Sequence, residues 1–365
     1  MSKTVQVDTK TFVRFWLVIF ALGVFIWFID QAIAGLVIVG LAIFFAIAIQ
    51  PLARWFGKRF DKKNSRPTLC AVLALLSVLT VVIFAAVVVA PVVVNETGKF
   101  ISQAPEMFEK TVGGWDVIND FGKSIGVDNL QGQIYTTLKG WSSGFMSSLG
   151  NNVIASIGTL AGAITGIILV IVLTLLLLIE GPKLVDNFWN SIAGKDSKTA
   201  SVSRRIVGRM ANVVTKYTTS QVTVAILDGT MTTLAVLVMS LIFGFSSGLA
   251  FPMGLITMIF YLIPMFGAII GGGLVSILLF FNNPVAGVVF LVYYIIYQQI
   301  ENNFIAPKVQ GNALNLPPVV ILIAITIGMY MFGLLGAIIA IPIAGCIKVL
   351  IEEYPNIRAL KAEKS

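Results

Sequence analysis

TSQVTVAILDGTMTTLAVLVMSLIF, residues 219–243, opens a stretch that runs to Ile347 and holds three charged side chains in 129 residues: Asp228, Glu301 and Lys308. A water-soluble domain of that size needs a charged outer face. The stretch therefore belongs in lipid, where each helical crossing uses about 20 predominantly apolar residues. A charge at the centre of a bilayer costs roughly 2.5–3.5 kcal/mol on insertion scales and is seldom kept without a partner or a task. Asp228 and Glu301 are thus the first candidates for function.

Composition extends this to the whole chain. The 365 residues are 57% hydrophobic and 12% charged, which predicts an all-α, polytopic transmembrane protein. Cys70 and Cys346 sit at or inside apolar runs, so no disulfide framework is expected. Histidine is absent, which removes imidazole metal ligands, Ser-His and Cys-His nucleophile pairs and imidazole proton relays. Proton handling must fall to carboxylates. No metal site, no cofactor and no enzyme activity are expected: a phosphate-binding loop is missing, and so are paired carboxylates for aspartyl chemistry. The net charge of +8 is concentrated beside the apolar runs. Residues 51–66 carry Arg54, Lys58, Arg59, Lys62, Lys63 and Arg66 against Asp61, and residues 181–216 carry seven basic and two acidic groups. Such blocks mark cytoplasmic span ends and suit anionic lipid headgroups as partners, not nucleic acid.

The organisation follows from the runs. Residues 1–94 hold the N-terminal spans and the basic loop 51–66. Apolar runs 15–29 and 32–49, parted by Asp30-Gln31, read as a tight helical hairpin, and the basic start before the first run imitates a signal peptide that is expected to stay uncleaved. The run 69–94 then crosses outward. Residues 95–150, with six acidic and four basic groups, form extracytoplasmic amphipathic helices. Leu130, Ile134, Leu138, Trp141, Phe145 and Leu149 give one stripe, and Phe100, Ala104, Met107 and Phe108 another. These helices cover the membrane mouth, pack on a neighbouring subunit or lie flat on the bilayer.

Residues 151–180 return to the cytoplasm. Their glycines at 158, 162 and 166 let helix backbones approach, and Glu180-Gly181-Pro182 should end the helix. Residues 181–217 read as cytoplasmic amphipathic helices, 218–350 as a transport core and 351–365 as a cytoplasmic tail. Spans are expected near 219–243, 249–263, 265–281 and 285–300. The block 317–350, broken by Gly328, Gly333 and Gly336, reads as a hairpin of two short helices. The total is about eight spans, with broken or re-entrant helices in the C-terminal half.

Polar residues gather at one place. Tyr294, Tyr297, Gln298 and Glu301 recur at i, i+3, i+4 and i+7 and share one helix face, with Asn302 beside them. That face should meet a partner helix or a water-filled cavity; the alternative is a polar helix end at the membrane interface. Pro264, Gly267, Pro307, Gly311, Gly333, Gly336 and Pro342 punctuate the same half. They are expected as breaks and hinges that free backbone groups for an ion or solute. Asp228, among Thr223, Thr230, Thr232 and Thr233, is either a neutral structural acid or a titrating site.

Three motifs carry a family resemblance: Tyr261-Leu262-Ile263-Pro264-Met265-Phe266-Gly267; Gln298-Gln299-Ile300-Glu301-Asn302-Asn303 with Pro307-Lys308 and Gly311; and Phe332-Gly333-Leu334-Leu335-Gly336 with Ile341-Pro342-Ile343. In order and spacing they resemble the autoinducer-2 exporter (AI-2E) family of bacterial membrane transporters. Ala268 and Pro317 stand where the family often has a proline and a histidine. The resemblance implies a helical, oligomeric transporter in the bacterial cytoplasmic membrane, and the basic-loop rule puts both termini inside. It further implies export of autoinducer-2 or another small solute. The expected function is secondary active export by alternating access, coupled to an ion gradient. A sodium or lithium/proton antiporter is the nearest alternative, and a non-transporting membrane scaffold is the rival from another class.

Overall fold

The computed structural model describes residues 9–60, 67–111, 157–193, 198–310 and 316–362, with a few isolated positions between 123 and 140. The described residues hold α-helices and no strand. In order they are α1 (Thr9–Phe60), α2 (Pro67–Thr111), α3 (Ile157–Ala193), α4 (Lys198–Phe243), α5 (Ala250–Tyr261), α6 (Gly267–Asn282), α7 (Pro284–Ile300), α8 (Ala306–Gln310) and α9 (Pro318–Ala362). Among the described residues six helical stretches are long and apolar enough to cross a membrane, and the N-terminal part of α1 and the shorter helices α5 and α6 are apolar too. Together they make an all-α, polytopic membrane fold. The stripe 130–149 lies outside the described residues, and so do the side chains of the stripe at 100–108.

Three expected breaks are absent, two of them helix ends. The hairpin at Asp30-Gln31 is replaced by one helix of 52 residues, about 78 Å at 1.5 Å per residue. Asp30-Gln31-Ala32-Ile33-Ala34 contains no glycine or proline to free the backbone, and two polar side chains alone do not turn a helix. The stop at Glu180-Gly181-Pro182 also fails: α3 continues to Ala193 with Pro182 inside. Proline forfeits one hydrogen bond, whereas ending the helix strands several backbone groups beside an apolar run, a larger cost in lipid.

The expected fold-back in 317–350 is present. Phe332 (φ −136°, ψ 18°) and Gly333 (φ 61°, ψ −146°) interrupt α9, the second in the left-handed region that glycine adopts without a side-chain clash. The two halves cross at Gly328 and Gly336, where a Cβ on either would meet the carbonyl carbon of the other at 2.8 Å. Ile321, Ile325, Ala337 and Ile341 then pack on Tyr217 of α4. Pro342 lies inside the helical run and breaks nothing.

A core of α4, α5, α6 and α7 holds the centre. Val236, Met253, Ile256, Val275, Leu279 and Phe290 are fully buried there. Helix α5 runs antiparallel to α4: Gly254 meets Gly229, and further along Gln221 Nε2 donates to the Tyr261 carbonyl at 2.8 Å. Helix α2 joins the outer surface of this core through Val89, Val92 and Val93, and its buried Glu96 accepts from Asn282 Nδ2 at 2.6 Å. At the other end Arg205 and Arg209 of α4 pair with Glu353 of α9 at 2.7 and 2.5 Å, and Arg209 also reaches Glu352 at 2.6 Å.

Candidate functional site

Asp228 and Glu301 lie 73 positions apart in sequence, yet one amide joins them. Gln298 Nε2 donates to Asp228 Oδ1 at 3.3 Å and to Glu301 Oε2 at 3.2 Å. The Tyr294 hydroxyl donates to Asp228 Oδ1 at 3.0 Å, and the Tyr261 hydroxyl donates to Glu301 Oε1. Both carboxyl side chains are fully buried. Three of their four oxygens therefore accept from protein donors. The fourth, Asp228 Oδ2, is buried with no hydrogen-bond partner among the described residues, and the Tyr297 hydroxyl shares that condition. Among the described ion pairs, none brings a lysine or arginine to either acid.

Local sequence explains how these groups are held. Tyr294, Gln298 and Glu301 share a face of α7, as their spacing predicts. Glu301 starts a π-turn (Glu301–Ile305) that widens the helix before α8, and such turns occur often at functional sites. Tyr294 lies against Gly272 of α6, where a Cβ would come within 2.8 Å of its ring Cζ; it also stacks on Phe290 with ring centroids 5.6 Å apart. Tyr297 stacks on Tyr293, whose hydroxyl donates to the Met231 carbonyl at 3.2 Å. Of the threonines around Asp228, Thr223, Thr230 and Thr233 each donate to the carbonyl four residues back in α4, whereas Thr232 accepts from Thr257 of α5.

Beside the acid pair is a cavity of about 950 Å³. Gln298, Tyr294 and Tyr261, the residues that hold the two acids, form part of its wall, and Gln299 and Asn302 continue it. Asp228 and Glu301 stand one layer behind. The expected break positions divide as follows. Pro264 lies on the wall in the tip joining α5 to α6, with Gly267 at the start of α6; Pro307 lies on the wall in α8. Gly333 and Gly336 shape the α9 hairpin, whose Ile321 and Ile341 face the cavity. Gly311 is outside the described residues. The sequence pattern did not single out Tyr217, Ser220 and Gln221 of α4, which supply another part of the wall. All three follow Lys216, the last basic residue of the cytoplasmic segment, and their i, i+3, i+4 spacing opens an apolar span without a charge to mark it.

The three motifs of the resemblance thus meet at one cavity: the first forms the α5–α6 tip, the second supplies Gln298, Glu301 and the π-turn, and the third the fold-back of α9; Asp228 comes from α4, outside all three. Across the chain, the AI-2E family transporter pattern matches residues 15–356. The chain belongs to the AI-2E family. Proteins similar to it include the transport protein YueF of Bacillus subtilis, 22% identical over 329 residues, covering 89% of this chain and 84% of YueF. The AI-2 transport protein TqsA of Escherichia coli is 20% identical, with 86% of this chain and 84% of TqsA aligned. The Synechocystis relative sll0063 is 24% identical over 82% of this chain and 73% of its own length. An AI-2E protein is a membrane transporter, so the cavity and its acid pair belong to a transport fold.

Proposed function

We propose that the protein is a secondary transporter of the bacterial cytoplasmic membrane that exports a small solute by alternating access, coupled to an ion gradient. The cavity holds the solute, and Asp228 with Glu301 forms the ion site. The observation that carries this is the acid pair itself. Four donor hydrogens converge on three carboxylate oxygens, none of the described ion pairs brings a cation to either acid, and Asp228 Oδ2 has no hydrogen-bond partner among the described residues. Two buried anions without a counter-charge are costly, so a proton or a bound cation completes the site. A cavity of about 950 Å³ falls at the upper end of the ~300–1,000 Å³ common for small-molecule sites. By analogy with the name of TqsA, autoinducer-2 is the first solute to test.

The same free oxygen supports a second reading, a sodium or lithium/proton antiporter in which the cation replaces the proton on the acid pair. Proteoliposomes with a trapped pH dye separate the two. Export coupling gives a pH change when autoinducer-2 is added and none with sodium or lithium; the antiporter gives the reverse. If neither addition moves the dye and autoinducer-2 does not cross, the transport proposal fails. Asp228→Asn should abolish the pH dependence of whichever flux is found.

The basic segments and the C-terminal tail are placed in the cytoplasm, with anionic headgroups around them. With α1 unbroken, the reasoning that put both termini on one side holds for the C-terminus alone. Assembly into a homo-oligomer is part of the proposal; apolar faces of α1 and α3 that are exposed among the described residues suit a neighbouring copy as well as lipid. Native mass spectrometry from nanodiscs gives the subunit number directly.

A further inference from the structure

Tyr261 ends α5 and begins the tip that leads to α6, and two other helices hold it at once. Its hydroxyl donates to Glu301 Oε1, and its backbone carbonyl accepts from Gln221 of α4 at 2.8 Å. The ring packs among Val224 and Ala225 of α4. Beyond it, Ile263, Pro264 and Met265 form cavity wall. The tip is under backbone strain: Met265 has φ +66°, a conformation that a residue with a side chain keeps only when its surroundings impose it. Gly267 closes the turn so tightly that a Cβ there would come within 2.7 Å of the Phe260 carbonyl carbon.

We propose that Tyr261 is the coupling residue of the transporter: its hydroxyl clasps the α5–α6 tip shut while Glu301 is ionised, and releases it when Glu301 takes up a proton. The proposal rests on the assignment of Glu301 to the ion site. A hydroxyl bonded to a carboxylate is held about twice as strongly as one bonded to a neutral acceptor. Protonation therefore weakens the clasp, and the strain at Met265 favours opening. The titratable groups around Glu301 are Tyr261 from α5, Tyr297 from α7 and, across Gln298, Asp228 from α4 with its partner Tyr294. Lys308 of α8 is exposed and forms none of the described ion pairs. The state of Glu301 is thus read by the tip through a single hydroxyl.

The test follows tip opening without any ligand. Ile263 is buried at the tip, so Ile263→Cys in the full chain with Cys70→Ser and Cys346→Ala reports its exposure to maleimide. Rates are measured in nanodiscs across pH and normalised to the same thiol in the denatured chain. The parent should label about tenfold faster at the acid end. Tyr261→Phe, which keeps the ring, and Glu301→Gln should both label fast at every pH. Gln221→Ala, which frees the tip from α4 alone, should raise the rate and keep its pH slope. A parent rate independent of pH overturns the proposal. So does a Tyr261→Phe chain that keeps the parental slope or, if that variant does not fold, a Gln221→Ala chain with an unchanged rate. Either result leaves the ion site standing if Asp228→Asn and Glu301→Gln still abolish the pH dependence of flux; unchanged flux in those two variants instead removes the ion site itself.

Discussion

Alanine at Gly229 puts a methyl group into the crossing of α4 and α5, one residue from Asp228. A Cβ there would lie 2.7 Å from the Gly254 carbonyl oxygen and 2.8 Å from Met258 Cβ, where ordinary contacts begin near 3.4 Å. One neighbour is backbone, so the helices must part by more than half an ångström. Overpacking of this kind costs about 1–3 kcal/mol, and the intrinsic helical gain of alanine over glycine offsets ~0.5–1 kcal/mol of it. The net loss should be about 1 kcal/mol, within a span of ~0–2.5 kcal/mol. Gly208→Ala is the control: it sits exposed in the same helix with nothing within 4 Å, so only the favourable part remains. Both variants should be unfolded in mixed micelles by titration with sodium dodecyl sulfate and followed by tryptophan fluorescence. Gly229→Ala should unfold earlier than the parent and Gly208→Ala slightly later. Flux should fall in Gly229→Ala, because parting α4 from α5 moves Asp228 relative to Tyr294 and Gln298. Equal midpoints and intact flux in Gly229→Ala would refute the close crossing as the device that positions Asp228.

Three further outcomes are expected. Gly272→Ala brings a methyl group against the Tyr294 ring, so flux should drop while the unfolding midpoint shifts by less than in Gly229→Ala. Gly328→Val should separate the two halves of α9 by removing their backbone contact; a spin-label pair at Val320 and Ile343 should show a longer, broader distance distribution. Arg209→Gln and Glu353→Gln should each loosen the α4–α9 junction, with a double variant worse than either single but short of their sum, because Glu353 also pairs with Arg205 and Arg209 with Glu352. Their effect should shrink only in part in high salt, since Arg209 is exposed to solvent ions whereas Glu353 is buried.

How far the sequence carried can be read from individual residues. The face of Tyr294, Tyr297, Gln298 and Glu301 was legible because helical periodicity is local and the residues lie in one element. The fold-back of α9 was legible because Gly333 supplies a conformation few residues adopt. Asp228 could be marked as costly in lipid, but nothing local joins it to Glu301; that link depends on how α4 packs against α7. Tyr261 was visible as part of a motif, yet its two attachments come from α4 and from the π-turn and exist only in the packed core. The failures at Asp30-Gln31 and Pro182 share a cause. Polar pairs and prolines act as breakers in water, where freed backbone groups find solvent, whereas in or beside lipid the helix keeps its own hydrogen bonds.

Proton release from purified protein in detergent gives the shortest route to the acid pair. In weakly buffered solution with an indicator dye, adding the transported species, whether autoinducer-2 or sodium, should release protons from the parent over a bounded pH range. Asp228→Asn and Glu301→Gln should each release none. Saturable binding of the same species, with no proton displaced at any pH or with release unchanged in both variants, would contradict the assignment of Asp228 and Glu301 as the site where ion and solute are coupled.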